Sequence, residues 1–192
     1  MPTNTLPPSL SGHSFFALLI TVALISVGIS VGMNSWPHLH QKGTATAQIN
    51  RLVTAVNYAR HAAITRRSTV TLCPSAMTGH GCNGRWHDDL IAFLDHNQDA
   101  RINGKDKIIN SIPSTAARGT LVWRAFRNRQ YLQMTALGYT HSQNGNFTYC
   151  PSNRDLHYAR QIIVNRQGRT RINHRRDAAG VPIDSRGKHL RC

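Results

Sequence analysis

The stretch "TAQINRLVTAVNYARHAAITRRS", residues 46–68, decides the fold. Ile49, Leu52, Val53, Val56, Ala59, Ala63 and Ile64 recur at helical spacing, while Asn50, Arg51, Asn57, Arg60 and Arg67 take the opposite face. A helix with one apolar face has to bury it, so the spacing predicts packing against something downstream. Working outward, no Asp, Glu, Lys or Arg occurs before Lys42, and "FFALLITVALISVGISVGM" (Phe15 to Met33) is 19 residues without a charge, long enough to cross a bilayer as a helix. The leader "MPTNTLPPSLSG" carries no Lys or Arg and no small-residue cleavage site follows the apolar run, which favours a signal anchor over a secretory signal peptide. On the other side, from Ser68 onward, the pattern changes to strands. "STVTLCPS", "DLIAFLD", "DKIINSI", "GTLVWRAF", "RQYLQMTALG", "NFTYCPS" and "RQIIVN" are short, β-rich and separated by turn residues, which suits antiparallel hairpins rather than βαβ units. The prediction is an α+β chain: a long N-terminal helix over 13–67, its 13–35 half transmembrane and its 40–67 half amphipathic, packed on an antiparallel β domain over 68–172. Beyond it, 173–192 has few apolar residues and reads as an extended, tethered basic tail.

Charge is the second constraint. The 192 residues carry a net charge of +15, from 23 Lys and Arg against 8 acids. All the acids are aspartates, no glutamate occurs, and 19 of the cations are arginine. The planar guanidinium fork suits bidentate phosphate contact, so the bias leans towards an anionic partner, with nucleic acid first and an anionic membrane surface second.

Cys73, Cys82, Cys150 and Cys192 form no C-x-x-C pair, and an even count fits two disulfides in an exported domain. Three pairings are possible. The nearest-neighbour pairing, Cys73 with Cys82 and Cys150 with Cys192, is the expected one, because it closes a short loop and tethers the C-terminus. Cys73, His80, Cys82 and His87 match no zinc-finger spacing. Asp95, Asn97, Asp99, Arg101, Asn103 and Asp106 stand at calcium-loop positions, but Ala100 replaces the sharp-turn glycine and Asp106 the bidentate glutamate, so an Asx-rich hairpin loop is the better reading. No metal and no cofactor is expected. Trp86, Phe93, Trp123 and Phe126 read as β core or its rim. No residue constellation suggests catalysis, so the chain is not read as an enzyme.

"QIIVNRQGRTRI", residues 161–172, reads as a strand, an Asn-Arg-Gln-Gly turn and a second strand. Gly168 suits a turn position with positive φ. Period-two alternation puts Arg169 and Arg171 on one face, ~7 Å apart at ~3.3 Å per residue, and turns Thr170 and Ile172 towards the core. Arg166 sits in the turn, and Arg160, Arg175, Arg176, Arg186, Lys188 and Arg191 extend the field against only Asp177 and Asp184. Such a face grips phosphates irrespective of sequence; about three to five neutralised phosphates imply a salt slope near −3 to −4. Tyr158 is the one aromatic of this region placed to stack on single strands.

A glycine, an uncharged helix, an amphipathic continuation and a β domain together resemble a type IV pilin-like subunit. "ARHAAITRRSTVTLCPSAMTGHGC", followed by "WHDDLIAFLDHNQDARINGKDKII", is similar to FimT-type minor pilins and GspH-type pseudopilins, as are "GNFTYCPS" and "RQIIVNRQGRTRI". The resemblance covers Gly12 to about Ile172. It implies a prepilin leader over 1–12, cleavage between Gly12 and His13 by a prepilin peptidase, and N-terminal methylation. It also implies a bacterial inner-membrane, single-pass stage with a periplasmic C-terminal domain, then assembly with major and minor pilin subunits. Two positions depart from the family pattern: His13 replaces the first mature phenylalanine and Ala17 the fifth-position glutamate. FimT-type members are implicated in DNA uptake during natural transformation through a G-R-x-R motif, which Gly168, Arg169, Thr170 and Arg171 match. The resemblance therefore implies DNA binding at Arg166, Gly168, Arg169 and Arg171, extended by Arg160, Arg175, Arg176 and Arg191. The alternatives are a structural tip subunit of a pilus or secretion pseudopilus, and an anchored envelope protein that binds anionic lipid or polysaccharide.

Overall fold

The computed structural model describes residues 15–75, 81–115 and 119–192, with the backbone alone at 31–35. The leader, the Gly12–His13 junction and His80 lie outside the described residues. The chain divides into two compact units, residues 1–40 and 41–192. Helix α1 (Phe15–Arg66) runs through both ranges with Pro37 inside it. In the first unit Phe15, Phe16, Leu18, Leu24 and Ile29 are exposed. No helix among the described residues is long and apolar enough to cross a membrane.

The second unit holds two four-stranded antiparallel sheets. Strands β1 (Val70–Pro74), β2 (Leu90–Leu94), β3 (Lys107–Ile112) and β5 (Leu132–Met134) form one, in the order β3-β2-β1-β5. Strands β4 (Gly119–Ala125), β6 (Gly145–Pro151), β7 (Arg160–Val164) and β8 (Thr170–Asn173) form the other, in the order β4-β6-β7-β8. The buried face of α1 carries Ala45, Ile49, Leu52, Val56, Ala59 and Ala63, at the three- and four-residue spacing that returns to one side of a helix. It meets Val70, Leu72, Leu90 and Leu132 of the first sheet and Leu121, Trp123, Phe147, Tyr149 and Ile162 of the second. Trp123 stacks on Phe147 at 4.2 Å between ring centroids, and Trp86 meets Phe147 edge-on at 4.6 Å; such pairs contribute about 0.5–1.5 kcal/mol beyond their buried area.

Three local expectations are corrected. Arg51, placed on the solvent face by its helical position, is buried, because the helix packs against two sheets and covers a wide arc. Its Nη2 donates to the Asp88 and Ile112 carbonyls, and burial lowers its pKa against the opposing pull of Asp89 and Asp88. Ile64, assigned to the buried face, is 40% exposed. "RQYLQMTALG" keeps only the three residues of β5 as strand, since 135–138 turns back at Gly138. The helix ends where Arg67 adopts φ +50°, with Arg67 N–H on the Ile64 carbonyl and Ser68 N–H on that of Ala63, so the last carbonyls find donors without a glycine.

Among the described residues four loops repeat one conformation, at 135–138, 165–168, 177–180 and 184–187. In each, the first residue's N–H donates to the carbonyl four residues on, and the glycine N–H donates back to the first carbonyl. The first side chain, from Thr135, Asn165, Asp177 or Asp184, accepts the N–H of Tyr139, Arg169, Val181 or Lys188. Each closing glycine has φ between +69° and +79°. This is a turn followed by a left-handed bulge residue, which sends the chain back along itself. The tail is therefore not extended, as its composition implied; two such loops fold it.

Candidate anion-binding site

The site begins with register on the second sheet. Arg124 pairs with Asn146, Asn146 with Ile163, and Ile163 with Arg171, so one row crosses all four strands on the face opposite the core. Three strand spacings put Arg124 about 14 Å from Arg171. Thr148, Cys150 and Gln161 share that face yet are buried, because the tail comes back over it. Cys150 is bonded to Cys192 with their Cα atoms 5.5 Å apart, Asn173 Nδ2 donates to Gln161 Oε1, and Arg124 Nη2 donates to the Arg191 carbonyl. Between sheet and tail lies a cleft of about 620 Å³, whose walls include Arg124, Arg166, Lys188 and Arg191 together with Asp184, which pairs with Arg186 at 3.5 Å.

The cations fall into two groups. The side chains of Arg166, Arg169, Arg171, Lys188 and Arg191 neither hydrogen-bond nor pair with a carboxylate among the described residues, and all five residues are exposed. The others hold the fold. Arg175 Nη1 donates to the Asp184 and Ser185 carbonyls, and Arg176 Nη1 to those of His157 and Gly180. Arg160 donates to the His157 and Ala159 carbonyls; burial first, and then the neighbouring Arg176 charge, lowers its pKa. At ~3.3 Å per residue, β7 separates Arg160 from Arg166 by roughly 20 Å, so Arg160 and Arg176 do not join the hairpin tip.

The tail's acids are absorbed in its own turns. The Asp177 carboxyl is held below the ordinary carboxylate range, first by the His189 hydrogen bond at 2.7 Å and then by the Val181 N–H. Asp184 is lowered chiefly by the Lys188 N–H. Neither carboxylate reaches the five free cations.

Gly168 is buried rather than presented. A Cβ there would lie 2.4 Å from the Gly138 carbonyl oxygen, and the φ of +69° already disfavours any L side chain. Its place is to bring loop 165–168 against loop 135–138. Thr140 N–H and Oγ1 both donate to the Arg166 carbonyl, and Arg60 Nε bridges the Gly138 and Gln167 carbonyls. The hairpin tip is thus braced by α1 and by β5's loop.

The other sequence candidates lie elsewhere. Cys73 and Cys82 are bonded to each other, which leaves no thiolate beside His87 for zinc. Oxygens of Asp95, Asp99 and Asp106 converge within 4.8 Å, and Ala100 adopts φ +60° at the sharp turn. Those oxygens accept protein donors: Thr71 Oγ1 and Gln133 Nε2 on Asp95, Asn97 and Asn103 on Asp99, and the His96 N–H on Asp106. Tyr158 belongs to a 3-10 turn before β7, away from the hairpin tip. Phe126 is 58% exposed, whereas Trp86, Phe93 and Trp123 are core. Arg124 was missed by sequence reading; its contribution depends on register across β4, β6, β7 and β8, which no local signal carries.

A family model described as "Type II transport protein GspH" matches residues 48–168, more than half the chain. Arg169, Arg171 and the tail follow that span. No curated protein matches the chain. Among solved structures, the chain is similar to the type IV minor pilin FimU of Pseudomonas aeruginosa, with a TM-score of 0.52 at 15% identity over 76% of this chain and 95% of that one. A second crystal form of that protein gives 0.50 at 14% identity over 71% and 96%. The minor pseudopilin EpsH from the type 2 secretion system of Vibrio cholerae aligns at 10% identity over 67% of this chain and 94% of its own, with a TM-score of 0.47.

Proposed function

The chain belongs to the family of Type II transport protein GspH, as a minor pilin or pseudopilin, and from that premise we propose that it binds DNA non-specifically during DNA uptake. The observation that carries the reading is the set of five exposed, unpaired cations on the hairpin and the tail folded beside it: Arg166, Arg169 and Arg171 of the hairpin with Lys188 and Arg191 of the tail. Like charges gathered on one hairpin and its neighbouring tail repel one another unless anions lie along them, and the phosphate backbone supplies anions at short, regular intervals. The folded tail supports the reading too, since it spends its own carboxylates on its turns and turns its free cations outward. Contacts of this kind position a duplex or strand without reading its sequence.

The same proposal includes a prepilin route: cleavage after Gly12, residence of residues 13–35 in the inner membrane, and assembly with other pilin subunits. The sequence resemblance and the exposed apolar side chains from Phe15 to Ile29 support it. The full chain in detergent micelles, titrated with labelled DNA of random sequence at low salt, tests the DNA reading. Saturable binding that weakens steeply with salt is expected. Absence of binding would leave a structural pilus or pseudopilus subunit.

A further inference from the structure

A second cleft, of about 470 Å³, opens at the hairpin tip, where loops 135–138 and 165–168 meet. Leu137, Tyr139, His141, Ser142, Arg166 and Gln167 line it, with no carboxylate in its wall. Tyr139 is 47% exposed, and among the described residues its ring stacks on nothing and its hydroxyl has no partner. Leu137 beside it is 76% exposed. Arg166 lines this cleft and also the larger cationic one.

We propose that this cleft holds an unpaired nucleobase stacked on Tyr139, with Arg166 on the adjoining phosphate, so that the surface prefers single-stranded DNA to duplex. The inference rests on the DNA reading above and names the form of DNA that reading leaves open. Two observations and one property of DNA carry it. An exposed, unengaged aromatic ring offers a π-face, and every base has one to match it. A base inside a duplex is already stacked on both faces and paired along one edge, so only an unpaired base can lie on the ring. The free guanidinium of Arg166, in the same wall, complements the phosphate that such a base brings with it.

The platform is also held in place. Thr140, next to Tyr139, donates twice to the Arg166 carbonyl, and Tyr139 N–H donates to Thr135 Oγ1. Arg60 Nε ties both loops through the Gly138 and Gln167 carbonyls. The backbones at Tyr139 and Arg166 are therefore held together before any ligand arrives, which lowers the ordering cost of binding. Gln167, His141 and Ser142 offer donors and acceptors to a base edge without a fixed pattern, so the preference is for unpaired bases rather than for one base.

The test uses the full chain in micelles, a fluorescent 20-nucleotide oligothymidylate and a blunt 20-base-pair duplex. Tyr139→Ala should weaken oligothymidylate binding between about fivefold and a hundredfold, the range for one base stacked on one aromatic ring. Duplex affinity should stay within about twofold, and Tyr139→Phe should keep single-strand affinity, because stacking needs the ring and not the hydroxyl. An equal loss on both DNAs, or no loss on the single strand, overturns this inference while the DNA reading stands. If the unaltered chain binds neither DNA, both fall.

Discussion

Replacing Arg169 and Arg171 together with glutamine separates counterion-driven binding from any other kind of contact. The site has five free cations, so a DNA that engages all of them displaces counterions from about five phosphates. On a duplex probe, the logarithm of the binding constant should then fall against the logarithm of salt concentration with a slope near −4.5. The double variant keeps Arg166, Lys188 and Arg191, and its slope should drop to about −2.7. At 0.1 M salt the difference of ~1.8 log units amounts to roughly 60-fold in affinity, or about 2.5 kcal/mol, and it closes as salt approaches ~1 M. Both side chains are exposed and unpartnered, Arg171 on the edge strand β8 and Arg169 just before it, so the folding transition should move by less than ~0.5 kcal/mol. Fluorescence anisotropy at four or five salt concentrations, beside a thermal melt, reads both quantities. An unchanged slope refutes the assignment of these two arginines to phosphates. A slope that falls together with the melting temperature would mean instead that the hairpin, not the contact, had been lost.

Gly168→Ala should destabilise the fold by about 1–3 kcal/mol in a urea titration, because the left-handed φ and the nearby Gly138 carbonyl both oppose a Cβ; an unmoved midpoint would show that the two loops are not locked together. Removing the Cys150–Cys192 bond by serine at both positions opens a closure 42 residues long and should cost up to ~4 kcal/mol in the chain-entropy limit. A stability equal to that of the unaltered protein would argue that the tail is held without the bond. The Asp177 carboxyl has a pKa lowered first by His189, so its stabilisation is present above the ordinary carboxylate value and is lost as pH falls through the folded value. The amide resonances of Val181 and His189 should therefore shift together below about pH 4, and signals unchanged down to pH 2 would contradict the role given to that carboxylate.

Sequence by itself determined the parts of this protein that local chemistry dictates. The helical spacing from Ile49 to Ala63, the short β-rich runs and the Asn-Arg-Gln-Gly turn each carry their signal within a dozen residues, because backbone geometry and burial periodicity act over that range. The alternation expected to put Arg169 and Arg171 on one face is equally local; β8 itself starts at Thr170, with Arg171 exposed between the half-buried Thr170 and Ile172. The tail's loops have a local signal too, since Asp177-Ala-Ala-Gly180 and Asp184-Ser-Arg-Gly187 repeat the hairpin's own turn chemistry, although the low apolar content of 173–192 points to extended chain. Only the tertiary structure decided which cations are free. Arg160, Arg175 and Arg176 are as basic in sequence as Arg166, yet each spends its guanidinium on main-chain carbonyls that folding brings to it. Arg124 joins the site, and Tyr139 comes beside Arg166, through pairings across strands and loops more than twenty residues apart. Charge is a property of the residue, but its availability depends on which acceptors the fold places within hydrogen-bond reach.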